Sequence, residues 1–230
     1  MQPGDVIAYL EMCSREGAML QRGMNFRLRP DHSVLLMSVR PGAPYEDQIT
    51  DEGRTLIYEG HDQPKSTDNP DPKTLDQPLL TENGTLTQNG LFYMAAEAFQ
   101  NNELPPERVR VYEKVRSGIW VYTGLFHLVD AWQQELEGRY VCKFKLALVE
   151  EDAEAVDPED QELDHTRLVP THVKLAVWKR DKGKCVKCGS TENLHFDHMI
   201  PFSWGGSSLT ADNIQLLCAK HNIQKSDRLE

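Results

Sequence analysis

Cys185-Val186-Lys187-Cys188 and Cys218-Ala219-Lys220-His221, with His195-Phe196-Asp197-His198 between them, are the stretch from which this 230-residue chain is most readily read. Each outer element is a knuckle with two residues between its ligand-type side chains, and 29 residues separate the two. Together Cys185, Cys188, Cys218 and His221 offer the four N/S donors of a closed tetrahedral zinc site. A redox dithiol at the first knuckle, or four unliganded buried side chains, are the competing readings. A domain of about 60 residues has little core of its own, so a metal staple there has a physical purpose.

Upstream of this stretch the composition is that of a globular protein, with 39% hydrophobic and 27% charged residues. No run of apolar residues approaches the length of a membrane span, and the start, Met1-Gln2-Pro3-Gly4-Asp5, has no basic region followed by an apolar stretch. The expectation is a cytoplasmic protein without a membrane partner. Five cysteines cannot all pair within one chain, which favours thiols or metal ligands over a disulfide framework. Cys13 and Cys142 are expected to be reduced packing residues.

The net charge of -11 counts against a phosphate-rich partner only until its distribution is inspected. Residues 150 to 164 carry nine acidic and no basic side chains. Such a segment repels itself and reads as an extended tether, with a short acidic helix as the alternative. It divides the chain into a first domain, 1–149, an acidic linker, 150–165, and a second domain, 166–230.

The first domain reads mostly as strands. Ser33–Val39, Arg54–Tyr58, Val109–Glu113, Ile119–Tyr122 and Tyr140–Leu146 are short β-branched or aromatic runs, and Gly90–Gln100 is the one clear helix. Gly60–Gly84, rich in Pro, Asp, Asn and Gln, is expected to be either an excursion loop or a functional one. The fold class is therefore α+β: a curved sheet or barrel with few helices, the linker, then a small zinc-stapled domain.

His195-Phe196-Asp197-His198-Met199-Ile200-Pro201, the Gly205-Gly206 pair, Asp212-Asn213-Ile214-Gln215-Leu216-Leu217-Cys218 and His221-Asn222-Ile223-Gln224-Lys225 resemble, in that order, the HNH endonuclease family. The resemblance implies a ββα-metal fold in which the first strand carries Asp197 and His198 on opposite faces. It implies His198 as general base, Asp197 and Asn222 as ligands of Mg²⁺ or Mn²⁺, and Asn213 as the brace of the loop behind His198. An imidazole titrates naturally near neutrality, which suits the activation of water, and a hard cation offsets charge on the phosphorane. Asn222 stands where the family often has His. His221, its neighbour, is better used by zinc, and His195 is expected to be a strand residue with no catalytic role.

A second resemblance covers residues 5–149. Tyr45-Glu46-Asp47, Asp51-Glu52-Gly53, Leu56-Ile57-Tyr58-Glu59-Gly60, Leu86–Leu91, Tyr122-Thr123-Gly124 and Val141–Leu146 follow the order of the SRA (SET- and RING-associated) domain. That family implies a crescent β-barrel that flips a modified cytosine out of double-stranded DNA. A flipped base needs aromatic faces and a polar acceptor. Tyr45 and Tyr58 are the stacking candidates, Asp47 the acceptor and Gln48 its alternative. Arg22, Arg27, Arg29, Arg40, Arg108, Arg110, Arg116, Lys143 and Lys145 are the basic side chains available to phosphates, and the segments 15–29 and 65–87 are the expected groove contacts.

The two resemblances together imply a prokaryotic, nucleoid-associated, modification-dependent restriction endonuclease. Its expected ligands are DNA carrying 5-methylcytosine or hydroxymethylcytosine, structural Zn²⁺ and a catalytic Mg²⁺ or Mn²⁺. Cutting both strands implies a homodimer. The alternatives are a non-catalytic reader with a structural zinc module and a modification-blind HNH nicking nuclease.

Overall fold

The computed structural model describes residues 1–20, 22–67, 69–149, 168–201 and 204–225. The expected linker, 150–165, lies outside them, as do Phe202 and Ser203. Among the described residues no helix is long and apolar enough to cross a membrane.

Eight strands form the first sheet: β1 (Val6–Ala8), β2 (Met24–Arg29), β3 (His32–Met37), β4 (Gln48–Thr50), β5 (Thr55–Glu59), β6 (Glu107–Arg116), β7 (Ile119–Leu136) and β8 (Arg139–Leu148). Their order is β2-β3-β6-β7-β8-β5-β4, with β1 added to β7 beyond this path. β3 and β6 pair in parallel, and every other pairing is antiparallel. β7 is far longer than the four-residue run its sequence suggested, because it pairs with β6, with β8 and with β1. Its ladders shift register after Leu128 and near Tyr112 of β6, and such bulges bend a strand and increase its twist.

Helix α2 (Gln88–Gln100) lies against this sheet. Thr87 caps it, its hydroxyl accepting from Gly90 N at 3.1 Å. Phe92 and Ala96 enter the core beside Leu35, Leu56, Phe126, Phe144 and Leu146. A second helix of this domain, α1 (Tyr9–Glu16), has no counterpart in the sequence reading. Its buried Met12 and Cys13 join Ile7, Leu20, Tyr112 and Trp120 in a separate core, which explains a pattern too short and polar to stand out alone.

Beyond the linker come α3 (Thr171–Arg180), the hairpin of β9 (Leu194–His198) and β10 (Ile214–Cys218), and α4 (Ala219–Lys225). The core of this part includes Val173, Val177, Leu194, Phe196, Ile214 and Leu216, and it also contains Val115 and Val121 of the first sheet.

Candidate functional site

The four knuckle residues converge. Cys185, Cys188, Cys218 and His221 place one donor atom each within 4.8 Å of one another. Cys218 Sγ and Cys185 Sγ lie 3.3 and 3.4 Å from His221 Nδ1, and Cys188 Sγ lies 3.8 Å from Cys218 Sγ. Zn–S bonds of about 2.3 Å and a Zn–N bond of about 2.0 Å in a tetrahedron require edges of roughly this length. Burial disfavours the Cys185 thiolate, but the backbone N–H groups of Cys218, Cys188 and Lys187 outweigh it and bring the thiol down to about 6. The donor set of this Cys3His cluster fits structural zinc.

Adjacent to this staple, β9 presents Asp197 and His198 side by side, so strand alternation sends them to opposite faces. His198 Nε2 is 2.8 Å from the hydroxyl of Ser208, a residue only 2% exposed. Asn213 stitches the surrounding loop. Its Oδ1 accepts from Ile200 N at 2.8 Å, and its Nδ2 donates to Ser207 O at 3.0 Å and to Ile200 O at 3.2 Å. A Cβ at Gly206 would run into the Ile200 carbonyl, so the turn that returns the loop to β10 has room only for glycine.

Lys225, the last described residue of α4, is buried, and its ammonium donates to His198 O at 2.6 Å and lies 3.1 Å from Asp197 Oδ2. Asp197, His198 and Asn222 line one polar cavity of about 390 Å³. Carboxylate and amide oxygens facing a common cavity are donors suited to a hard divalent cation. First-domain residues Gln2, Pro3, Gly4, Asp5 and Thr123 line the same cavity. His195 also faces it, with Nδ1 2.6 Å from Asp5 Oδ1.

The first domain has its own, larger cavity of about 720 Å³, lined by Tyr45, Asp47, Tyr58, His61, Gly23 and basic Arg22, Arg40 and Lys114 among others. The Asp47 carboxylate accepts from Ser38 N and from Glu59 N, each at 3.0 Å. Burial nevertheless pushes its pKa up to about 6. Tyr58, almost wholly buried, has its hydroxyl 3.1 Å from His61 Nε2 and donates toward Leu36 O at 3.3 Å. The His61 ring lies flat on Tyr45, centroids 5.1 Å apart and planes inclined by 14°. Its backbone is gripped at both ends by Asn89, whose Oδ1 accepts from His61 N and whose Nδ2 donates to His61 O, both at 2.8 Å. Burial drives the imidazole pKa down to about 4, so His61 is neutral at physiological pH. A Cβ at Gly23 would meet the Tyr58 hydroxyl at 2.6 Å and His61 Nε2 at 2.7 Å, so glycine leaves the space these two polar atoms need.

Most of the expected site residues are thus assembled, in two groups. Gln48 is not: it is exposed at the start of β4, opposite Ile57, and is absent from the cavity wall. Lys143, expected on a basic surface, is buried and paired with Glu59 at 2.9 Å, and half-buried Arg110 is 3.3 Å from Glu16. Both were misread because charge in a strand does not reveal which face of the sheet it occupies. Ser208 and His61 had no signal of their own, since a serine in a loop and a histidine after a strand carry no distinctive spacing. Lys225 was visible only as the last letter of a motif.

A β-rich domain with an aromatic cavity is followed by a small ββα module with a Cys3His cluster and an Asp-His strand. Residues 2–152 match the SAD/SRA domain profile, and the chain belongs to that family; residues 185–228 match the HNH endonuclease profile. Solved structures similar to it include the SUVH5 SRA domain in complex with hemi-methylated CG DNA, at 22% identity, TM-score 0.46, over 68% of this chain and 94% of that one. Another is the SUVH5 SRA domain bound to fully hydroxymethylated CG DNA, at 21% identity, TM-score 0.47, over 68% and 95%. A third is Arabidopsis thaliana SUVH6 with SAM, at 20% identity, TM-score 0.45, over 87% of this chain and 32% of that one. A comparison with curated proteins returns no significant match.

Proposed function

We propose that the protein is a modification-dependent DNA endonuclease of the type IV restriction kind, acting in the prokaryotic cytoplasm. It takes a flipped 5-methylcytosine or hydroxymethylcytosine into the Tyr45–Tyr58 cavity and hydrolyses a phosphodiester bond at His198. The observation that carries the reading is the coexistence in one SAD/SRA chain of the aromatic cavity and the Asp197, His198 and Asn222 cavity.

In the first cavity the buried Tyr58 and the stacked Tyr45–His61 pair supply flat surfaces that offset the lost stacking of an extruded base. Asp47 is the polar group placed to meet the cytosine edge. Arg22, Arg40 and Lys114 at the same cavity supply positive charge for the flanking phosphates, despite the net charge of -11.

In the second cavity His198 takes the proton from the attacking water, its ring oriented by Ser208. Asp197 and Asn222 would hold Mg²⁺ or Mn²⁺, which when bound stabilises negative charge on the phosphorane and the leaving oxygen. Lys225 fixes Asp197 relative to the His198 backbone. Cleavage of both strands requires two such centres, hence a homodimer on DNA.

Matched duplexes, unmodified and carrying 5-methylcytosine, incubated in Mg²⁺ or Mn²⁺ with His198→Ala as control, test the reading. Cleavage of the modified duplex alone, lost in the variant, is expected. Equal cleavage of both duplexes refutes modification reading, and binding without cleavage makes the protein a reader only.

A further inference from the structure

The two domains share a packed interface. Val173 and Val177 of α3 share one hydrophobic core with Val115 of β6 and Val121 of β7, and Val6 and Ile119 pack against it. Within reach of this core Lys174 Nζ and Glu113 Oε2 are 2.7 Å apart, their side chains 4% and 1% exposed. A buried ion pair fixes register strictly, because any slippage leaves two charges stranded in a medium that solvates them poorly. Main chain adds to it: Phe196 N donates to Gly4 O at 3.2 Å, Asp5 forms a β-bridge with His195, and their side chains pair at 2.6 Å. The first domain thereby adds backbone to the strand that carries Asp197 and His198, and forms one wall of the nuclease cavity.

Apolar burial, a buried ion pair and main-chain hydrogen bonds act at three points of one interface, which leaves no axis about which the nuclease module can swing without losing at least one of them. We propose that the two domains form a rigid ruler: the offset between the base held in the first cavity and the phosphodiester cut at His198 is fixed by the interface around Lys174–Glu113 and Asp5–His195, not by the length of the acidic segment. The inference rests on the function proposed above for the meaning of the offset, but the rigidity itself does not depend on it.

The test uses the full chain with zinc bound, in wild-type form and with 10 or 20 Gly/Ser residues inserted between Glu154 and Ala155. Cut positions are mapped at nucleotide resolution on duplexes with a single 5-methylcytosine. The same cut offset for all three proteins is expected, and an offset that lengthens or spreads with the insert overturns the proposal. Glu113→Lys, which sets two ammonium groups against each other, is expected to scatter the cut positions while zinc content and binding of the modified duplex persist. An unchanged offset in that variant, shown to be folded by those two controls, also overturns it.

Backbone ¹⁵N relaxation of the free protein separates this inference from the functional reading. One rotational correlation time shared by residues of both domains is expected, in wild type and insertion variants alike. Two distinct times overturn the ruler even if methyl-dependent cleavage is observed, whereas one shared time with indiscriminate cleavage overturns only the functional reading.

Discussion

His198 Nε2 lies 2.8 Å from the hydroxyl of Ser208, and the loop that brings Ser208 there is held by three hydrogen bonds from the Asn213 side chain. Ser208 thereby fixes the orientation of the imidazole at the cavity it lines. General-base catalysis contributes on the order of 10²- to 10⁴-fold, and a misoriented imidazole forfeits part of it. Ser208→Ala is therefore expected to lower kcat by about 10-fold or more with little change in KM for DNA, while Ser208→Thr restores most of the rate. Single-turnover cleavage checks this, and a KM effect equal to the kcat effect would place Ser208 in substrate binding instead.

Tyr45 presents the flat surface of the first cavity, with His61 stacked on it. Stacking of a base on an aromatic side chain is worth about 1 to 3 kcal/mol. Tyr45→Ala should weaken binding of a 5-methylcytosine duplex by roughly 10- to 100-fold, with a much smaller effect on unmodified DNA. Titrations at fixed salt measure both, and an equal loss on the two duplexes would move Tyr45 out of base recognition.

Cys185, Cys188, Cys218 and His221 are expected to hold one zinc per chain. Structural zinc contributes on the order of 10 kcal/mol to small domains of this kind. Cys218→Ser should abolish zinc in elemental analysis and unfold α3 to α4, exposing Val115 and Val121 of the first sheet to water. The expected sign is aggregation as well as lost cleavage, and a soluble zinc-free variant that still cuts DNA would contradict the assignment.

Two buried groups of the first cavity make stability depend on pH in opposite directions. Burial raises Asp47 from 3.8 to about 6, so its contribution is fully present below the unfolded value and is lost as pH rises to about 6. Burial lowers His61 from 6.5 to about 4, so its contribution is present above the unfolded value and is lost as pH falls to about 4. Each amounts to about 3 kcal/mol, and they largely cancel between about pH 4 and 6. Relative to wild type, Asp47→Asn should gain stability as pH rises through that window, and His61→Phe should gain it as pH falls. Urea unfolding at pH 4.5, 5.5 and 7 checks the signs, and parallel curves for wild type and both variants would show the groups to be unperturbed.

Much of the HNH module was legible because its spacing is local. The C-x-x-C and C-x-x-H knuckles set ligand spacing within a single turn, and adjacent Asp197 and His198 must point to opposite sides of any strand. The strands of the first domain were legible in kind but not in extent, since β7 owes its 18 residues to three partners. Helix α1 has eight residues and owes its order to the core it joins, so propensity and periodicity gave no warning of it.

Sequence alone determined the Cys3His donor set, the order of the Asp-His, Asn and Asn residues in the HNH module, and the aromatic residues Tyr45 and Tyr58 that line the first cavity. Only the tertiary structure decided that Gln48 faces away, that Lys143 is spent on Glu59, that Ser208 and Lys225 hold His198 and Asp197, and that Asp5 meets His195 across 190 residues of chain. The physical reason is range. Side-chain spacing within one strand or turn is fixed by bond geometry that the sequence displays directly, whereas a contact between distant segments depends on which sheet faces pack together, and that is settled by burial of the shared core.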